Sequence, residues 1–196
     1  MKKLFKIFAF VFLTLNFLGC SSDSSESPCI PITCLNNGIS NSDCGCDCPQ
    51  GYTGSNCGTI VPPTRVIITK VVVKAFPNLN DSGFRWDGTN DADIYIKFNN
   101  GTSYVYDHPT YLSNATGGTN LNYQFTLSPN LQITNVNSLM FVELWDYDLG
   151  DVPSNADDFM VLAPFMPFNG NSFPSVLTVN SLTSQTTFEI HLAYQW

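Results

Sequence analysis

From residue 65 onwards the chain alternates short apolar runs with polar turns, a pattern that predicts β-strands. No segment there shows a convincing apolar repeat of about 3.6 residues. Asn99-Asn100-Gly101 is a strong hairpin signal, because Asn and Gly tolerate the left-handed conformations of tight turns. Short strands separated by turns predict an antiparallel β-sandwich of about eight strands. The candidate strands are Arg65–Phe76, Ile94–Phe98, Ser103–Tyr106, Tyr123–Leu127, Leu131–Thr134, Leu139–Trp145, Phe159–Phe165, Val176–Val179 and Thr187–Tyr194.

The N-terminus has the pattern of an export signal. Three lysines precede an apolar stretch of about a dozen residues, which is too short to cross the roughly 30 Å of bilayer hydrocarbon. The stretch ends in Phe17-Leu18-Gly19-Cys20, which resembles a bacterial lipobox. The resemblance implies that residues 1–19 are a signal peptide and that acyl chains on Cys20 hold the protein on a membrane. Residues 20–28 are then the lipidated cysteine and a flexible Ser-rich tether.

Lipidation of Cys20 predicts a membrane-anchored protein of the cell envelope, in the outer membrane and exposed at the cell surface. The alternative is ordinary cleavage that leaves Cys20 as a free thiol.

The remaining six cysteines all lie between residues 29 and 57. A segment this short cannot bury enough apolar area to fold unaided, so crosslinks in an oxidising compartment are expected to stabilise it. Six cysteines allow fifteen pairings, and their spacing alone does not choose among them. A metal-binding cysteine cluster is the alternative interpretation.

Two sequence motifs within this segment resemble an epidermal-growth-factor-like (EGF-like) module. The first is Cys34-Leu35-Asn36-Asn37-Gly38, and the second, more specific one runs from Cys46 to Cys57 with Gly51-Tyr52-Thr53-Gly54 inside it. The resemblance implies an EGF-like module over residues 29–57 that acts as a spacer or protein-contact unit. It also implies three disulfide bonds: Cys29–Cys44, Cys34–Cys46 and Cys48–Cys57.

The distribution of charge excludes one class of partner. The chain has a net charge of −8, and all sixteen acidic residues but only five basic ones lie beyond the signal peptide, a balance of −11. No Lys or Arg occurs from Asn99 to Trp196. Binding to nucleic acid needs clustered basic side chains, so we expect no nucleic-acid partner.

Half of the acidic residues lie in two short segments at strand boundaries. Three are in residues 86–97 and five in residues 145–159. Asp146 and Asp148 are two positions apart at the end of a strand, so their carboxylates project to the same side. Two such charges about 4 Å apart repel by roughly 4 kcal/mol at an effective dielectric near 20. A hard divalent cation such as Ca²⁺ would relieve this repulsion, whereas the alternative is a solvated acidic rim.

These segments resemble the calcium loops of the C2 domain family, whose members are calcium-dependent lipid-binding β-sandwiches. Asp87, Asp93 and the strand after them match the first loop, while Asp146-Tyr147-Asp148 and Asp158-Phe159-Met160 match the order of the third. The resemblance covers residues 65–196 and implies a C2-like sandwich there, with residues 58–64 as a linker. It implies five calcium ligands, Asp87, Asp93, Asp146, Asp148 and Asp158, with Asp157 or Asp151 as substitutes for the last.

The predicted fold is therefore mainly β: a small disulfide-rich EGF-like module followed by an eight-stranded antiparallel C2-like sandwich. We expect a non-enzymatic lipoprotein that uses Ca²⁺ for recognition of, or adhesion to, an anionic lipid, glycan or protein. A two-carboxylate hydrolase would need one acid kept protonated by apolar surroundings, and the acidic loops have a polar composition. The alternatives are a structural envelope protein in which Ca²⁺ only stabilises loops, and a carbohydrate-binding module using Trp86, Trp145 and Tyr147.

Overall fold

The computed structural model describes residue 30 and residues 32–88, 90–148 and 156–196 of the 196-residue chain. The elements found in these residues are all β-strands. The predicted signal peptide, Cys20, the tether and Cys29 lie outside the described residues. Within the described ranges, no helix is long and apolar enough to cross a membrane.

Residues 32–60 form a small unit, here called the disulfide-rich module, that contains two short antiparallel strand pairs. The first pair is β1 (Ile39–Ser40) with β2 (Cys46–Asp47), and the second is β3 (Tyr52–Thr53) with β4 (Thr59–Ile60). Strand β4 lies in the segment that the sequence predicts to be a linker. The residues before the sandwich are therefore part of a paired structure as far as Ile60.

Disulfide bonds hold this module together. Cys34 is bonded to Cys46 and Cys48 to Cys57, the two pairs of described cysteines that the EGF-like pattern implies. Cys44 is also disulfide-bonded, and Cys29, its implied partner, lies outside the described residues. A crosslink of this kind typically contributes about 2–4 kcal/mol to stability.

The rest of the chain forms a sandwich of two antiparallel sheets. Its strands are β5 (Arg65–Ala75), β6 (Ala92–Asn99), β7 (Tyr104–Asp107), β8 (Leu112–Ala115), β9 (Tyr123–Ile133), β10 (Met140–Asp146), β11 (Asp158–Phe165), β12 (Val176–Asn180) and β13 (Thr187–Gln195). One sheet has the order β12-β13-β5-β9, and the other has the order β11-β10-β6-β7 with β8 also paired to β6. Strands β7 and β8 pair with different parts of the same edge of β6, so the two sheets have four strand positions each.

Alternating apolar residues from both sheets form the core. In β13, Phe188, Ile190 and Leu192 are buried, while the residues between them face outward. In β10, Val142 and Leu144 are completely buried and belong to the face that packs on the opposite sheet. This period of two is what a sheet with one face against a core requires. The prediction of an all-β fold with an antiparallel sandwich is confirmed.

Two details of the strand pattern differ from the sequence prediction. Tyr123–Leu127 and Leu131–Thr134 are predicted as separate strands but form the single strand β9, which continues through Pro129. Proline is tolerated here because β9 is an edge strand and its register with β5 shifts between Ile68 and Lys70. Strand β8 is not predicted, because Leu112-Ser113-Asn114-Ala115 has no strong strand pattern and becomes a strand by pairing with β6.

The disulfide-rich module packs directly against one end of the sandwich. The Tyr52 ring meets the Phe173 ring edge to face at 5.4 Å, and the Trp196 indole donates a 2.7 Å hydrogen bond to the Val61 carbonyl. Ile60 packs against the sandwich core. These contacts fix the module to the sandwich.

Strand β5 shows how far the module is from the predicted calcium loops. Its first residue, Arg65, pairs with Gln195 beside the module, and its last, Ala75, pairs with Thr187 at the other end. The loop with Asp87 follows Ala75, and Asp146 pairs with Ile94 at that same end. We call this the acidic end. It is separated from the module by the length of β5, about 33 Å for eleven residues.

Candidate metal centre

The acidic end contains a buried carboxylate at the last residue of β10. Asp146 is 0% exposed, because it follows the inward-facing Val142 and Leu144 at a spacing of two. Its Oδ1 accepts a 2.6 Å hydrogen bond from the backbone amide of Asp93. Its Oδ2 is also buried and accepts no hydrogen bond from an amide or hydroxyl of the described residues, and the side chain that approaches Asp146 is another acid, Asp87. A buried polar atom in this state costs free energy unless a further group binds it.

Two further carboxylates lie beside Asp146. Asp87, in the loop between β5 and β6, and Asp148, just after β10, each place an oxygen so that the three ligand atoms lie within 4.8 Å of one another. Asp148 is 6% exposed, and its backbone amide donates to Oδ1 of Asp157 at 3.3 Å. The loop and the end of β10 therefore contribute to a single group of acids, called here the three-carboxylate cluster.

The surroundings of Asp146 favour its protonated form. Burial is the main cause. The hydrogen bond from the Asp93 amide opposes it, while the negative charges of Asp87 and Asp148 and a side-chain hydrogen bond with Asp87 act in the same direction as burial. Together they raise the pKa of Asp146 to about 8. This corrects the expectation of polar surroundings in both acidic loops, since packing places Asp146 in the interior.

The other predicted ligands lie outside the three-carboxylate cluster. Oδ1 of Asp93 accepts a 2.7 Å hydrogen bond from the backbone amide of Asn114 in β8. Asp158 is the cross-strand partner of Asp146, but its side chain is exposed. Asp157 accepts a 2.6 Å hydrogen bond from the Tyr95 hydroxyl, and Asp151 lies outside the described residues. Three of the five predicted ligands are thus brought together.

Asp91 lies in the same loop as Asp87, between β5 and β6, but its charge is compensated by a basic side chain. Its carboxylate forms an ion pair with Arg85 and accepts a hydrogen bond from the Thr116 hydroxyl. Asp146 differs, because the groups closest to its carboxylate include two further acids and a single backbone donor. The sequence signal for this difference is the position of Arg85 six residues before Asp91.

The donor set fits a hard divalent cation. Calcium binds carboxylate oxygens at about 2.3–2.6 Å, so two oxygens on opposite sides of one ion are about 4.6–5.2 Å apart. The oxygens of the three-carboxylate cluster lie within 4.8 Å of one another, which matches this span. A bound cation would also contact the buried Oδ2 of Asp146, favour the ionised form of this carboxyl and offset the repulsion among the three carboxylates.

The aromatic residues beside the acidic loops have different environments. Trp86 donates a 3.1 Å hydrogen bond from its indole to the Pro77 carbonyl and packs against the core. Trp145 in β10 and Tyr147 just after it also pack against the core, and Tyr147 stacks on Tyr111 with ring centroids 4.3 Å apart. Of the three predicted sugar-stacking residues, Trp86 is therefore held by its own loop.

Comparisons with known proteins give a likeness of fold only. The structure is similar to that of a C2 domain, with a TM-score of 0.45 and 12% identity over 67% of this chain and 98% of that one. It is also similar to human GIVD cytosolic phospholipase A2, with a TM-score of 0.41 and 14% identity over 69% of this chain and 17% of that protein. A C2 domain protein from Ramazzottius varieornatus gives a TM-score of 0.38 and 10% identity, over 69% and 93% of the two chains.

No protein-family model matches the sequence, and no curated protein matches it significantly. The chain spans only 17% of the phospholipase, so that likeness concerns a single domain. With TM-scores below 0.5, the functional proposal below rests on the geometry of the three-carboxylate cluster.

Proposed function

We propose that this protein is a non-enzymatic lipoprotein of the cell envelope whose sandwich binds Ca²⁺ and uses it to recognise an anionic partner. The observation that carries the proposal is Oδ2 of Asp146, a buried carboxylate oxygen that accepts no hydrogen bond from an amide or hydroxyl of the described residues and lies beside two other carboxylates. Asp87, Asp146 and Asp148 would hold the ion. Calcium takes six to eight oxygen ligands, so positions beyond these three remain for a phosphate or carboxylate of the partner.

The arrangement of the two ends suits a tethered receptor. Lipidated Cys20 would anchor the chain on the side of the disulfide-rich module, and the three-carboxylate cluster lies at the opposite end of β5. The ion would therefore face away from the membrane that holds the protein. The localisation we propose is the outer membrane, with the acidic end exposed at the cell surface.

A lipid surface is the first partner to test. The loop that provides Asp87 also exposes Phe84 and Leu79, whose side chains are 69% and 46% exposed. Apolar side chains beside a metal site would enter the interfacial region of a bilayer while the ion contacts anionic headgroups. An anionic glycan or protein offers the same phosphate or carboxylate chemistry without a region for Phe84 to enter.

Burial of Asp146 argues against a hydrolase at this site. Its raised pKa would suit a general acid, but a side chain that is 0% exposed cannot contact a substrate larger than an ion.

The two histidines also have structural environments. Both ring nitrogens of His108 lie within 3.3 Å of backbone carbonyls, and burial, together with Lys70, lowers the pKa of His191. The environments of Asp146, His108 and His191 are therefore consistent with a binding role for the protein.

The test is the melting temperature of the purified protein with and without Ca²⁺, beside an Asp146→Asn/Asp148→Asn variant. Ligand at a hundred times its dissociation constant adds about 2.7 kcal/mol, a shift on the order of 5–10 °C for a domain of this size. We expect this shift in the parent and none in the variant. No shift in a folded parent at millimolar Ca²⁺ would overturn the calcium site.

Partner binding is tested by co-sedimentation with phosphatidylserine and phosphatidylcholine vesicles, in Ca²⁺ or in the chelator EGTA. We expect binding to phosphatidylserine in Ca²⁺ alone, and weaker binding by Phe84→Ser. Calcium-dependent stabilisation without vesicle binding would direct the search to polyuronate glycans. If those also fail to bind, Ca²⁺ has only a structural role, which is the alternative function.

A further inference from the structure

The outer face of the five-stranded sheet contains a groove beside the three-carboxylate cluster, whose own carboxylates do not line it, although Asp157 does. Strand β6 contributes to it through residues on the face opposite the core. The groove has a volume of about 420 Å³, within the roughly 300–1,000 Å³ range of small-molecule sites. We call it the aromatic groove; its principal lining residues are Tyr95, Lys97, Asp107, His108, Tyr111 and Tyr147.

Tyr111 provides a flat, rigid surface at one wall of the aromatic groove. Its ring stacks on Tyr147 with centroids 4.3 Å apart and an angle of 16° between the planes. Tyr147 in turn meets the Tyr95 ring edge to face at 6.4 Å. Stacking covers one face of the Tyr111 ring, and the residue is still 41% exposed. The other face is therefore open to a ligand.

The charged groups of the aromatic groove have partners within the protein: Lys97 and Asp107 form an ion pair, and the Asp157 carboxylate accepts hydrogen bonds. The Lys97 ammonium lies 3.6 Å from the Asp107 carboxylate and 4.4 Å from the centre of the Trp145 ring, with Tyr95 and Tyr104 also within 5.3 Å. On the other side, Asp157 accepts the Tyr95 hydroxyl hydrogen bond. A charged ligand would have to break one of these arrangements, so the groove favours a neutral one.

The same groups are well suited to bind hydroxyls. The Asp107 side chain is 60% exposed, so it can accept further hydrogen bonds while it remains near Lys97. An apolar peptide or lipid chain would leave this carboxylate and the lysine without compensation for lost water. A sugar ring presents an apolar C–H face to an aromatic ring and hydroxyls at its rim, which matches Tyr111 and Asp107 together.

We propose that the aromatic groove is a binding site for a neutral glycan, with one sugar ring packed on Tyr111 and its hydroxyls bound by Asp107. None of the three cluster carboxylates lines this site, which adjoins the cluster through Tyr147 and Asp157, and glycan binding there requires no metal ion. A glycan held here would be a second ligand of the sandwich, beside the anionic partner recognised through Ca²⁺. The two activities can therefore be lost independently.

The experiment is isothermal titration calorimetry of the purified protein with four neutral oligosaccharides: cellohexaose, laminarihexaose, xylohexaose and mannohexaose. We expect at least one to bind, in Ca²⁺ and in EGTA alike. Tyr111→Ala should reduce the affinity about tenfold or more, as truncation of a central aromatic contact does, and Tyr111→Phe should preserve it. Asp107→Asn should weaken binding less than Tyr111→Ala.

Leu182→Ala is the control, because Leu182 is an exposed apolar residue between β12 and β13 and does not line the aromatic groove. It should leave glycan affinity unchanged. Unaltered melting temperatures establish that the variants are folded. Failure of the parent to bind all four probes overturns the proposal, as does equal binding by Tyr111→Ala. Loss of binding in EGTA would place the glycan at the ion and also overturn it.

Discussion

The backbone amide of Asp93 donates a 2.6 Å hydrogen bond to Oδ1 of Asp146. This contact joins the start of β6 to the end of β10, while Oδ2 of Asp146 is buried and accepts no hydrogen bond from an amide or hydroxyl of the described residues. Asp93 therefore supports the three-carboxylate cluster through its backbone, while its own carboxylate binds the Asn114 amide. Asp93 therefore positions the ligand residue Asp146, whereas the sequence resemblance implies that Asp93 is itself a calcium ligand.

The first prediction concerns the stability of the metal-free protein at different pH values. Burial foremost, with Asp87 and Asp148, raises the pKa of Asp146 to about 8, whereas the unfolded value is near 4. Between these values the folded state binds the proton more strongly than the unfolded state, so stability falls as pH rises. We expect the melting temperature in EGTA to be higher at pH 5.5 than at pH 8.

Asp146→Asn is the control for this effect, because it removes the titrating group and retains a side chain of the same shape. Its melting temperature should change less between pH 5.5 and pH 8 than that of the parent. A parent whose stability in EGTA is constant or rises across this range would show that Asp146 is ionised in the folded metal-free protein.

The second prediction separates two acids of the loop between β5 and β6. Asp87 belongs to the three-carboxylate cluster, whereas Asp91 is paired with Arg85. Because calcium affinity depends on the number of charged ligands, Asp87→Asn should raise the calcium dissociation constant about tenfold or more. Asp91→Asn should leave it unchanged and cost at most about 1 kcal/mol of stability, since the Arg85 side chain is 46% exposed. Calorimetric titration with Ca²⁺ measures both, and equal effects of the two substitutions would contradict the assignment of ligands.

The proximity of Asp146 and Asp148 follows from the sequence, but the complete cluster does not. Residues two apart at a strand end project to one side, and this local rule applies to these two acids. The position of Asp93 depends on the pairing of β6 with β8, where Ala92 lies opposite Ala115 and brings the Asn114 amide to the Asp93 carboxylate. Because β8 has no strand pattern of its own, no local signal identifies this contact.

The strands themselves differ in how well their sequence predicts them. Strand β13 alternates Phe188, Ile190 and Leu192 with more exposed residues, so its pattern alone is sufficient. Strand β9 contains Ser128-Pro129-Asn130, a sequence typical of a turn, and is continuous only because β5 accommodates it through a register shift. The local sequence therefore does not predict β9 as a single strand, because its continuity depends on the neighbouring strand β5.

The third prediction concerns reduction of the disulfide bonds. All described cysteines lie in the disulfide-rich module, and the core of the sandwich is formed by residues from Val66 onwards. A reducing agent should therefore remove the structure of β1 to β4, whose few backbone contacts cannot offset the chain entropy, and leave the sandwich folded. Hydrogen exchange measured by mass spectrometry should show loss of protection in residues 32–60 and continued protection in β5, β10 and β13. Loss of protection in those three strands would mean that the sandwich depends on the module.

The fourth prediction tests the contact between the module and the sandwich. Gly51 has a φ of +89°, and a Cβ atom there would lie 2.6 Å from ring atoms of both Phe173 and Trp196. Phe173 cannot move easily, because it also stacks on Phe168 and meets Tyr194 edge to face. Gly51→Ala should therefore add a steric clash to the cost of its backbone conformation, as overpacking does in a core.

Gly170→Ala is the matched control, because Gly170 has a φ of +82° and a Cβ atom added there would meet no described atom within 4 Å. Both substitutions impose the left-handed conformation on alanine, and only Gly51→Ala affects the contact with Phe173 and Trp196. We expect chemical denaturation to give a free energy of unfolding about 1–3 kcal/mol lower for Gly51→Ala than for Gly170→Ala. Equal values would mean that the module can move away from the sandwich at little cost, and the separation between the module and the acidic end would then not be fixed.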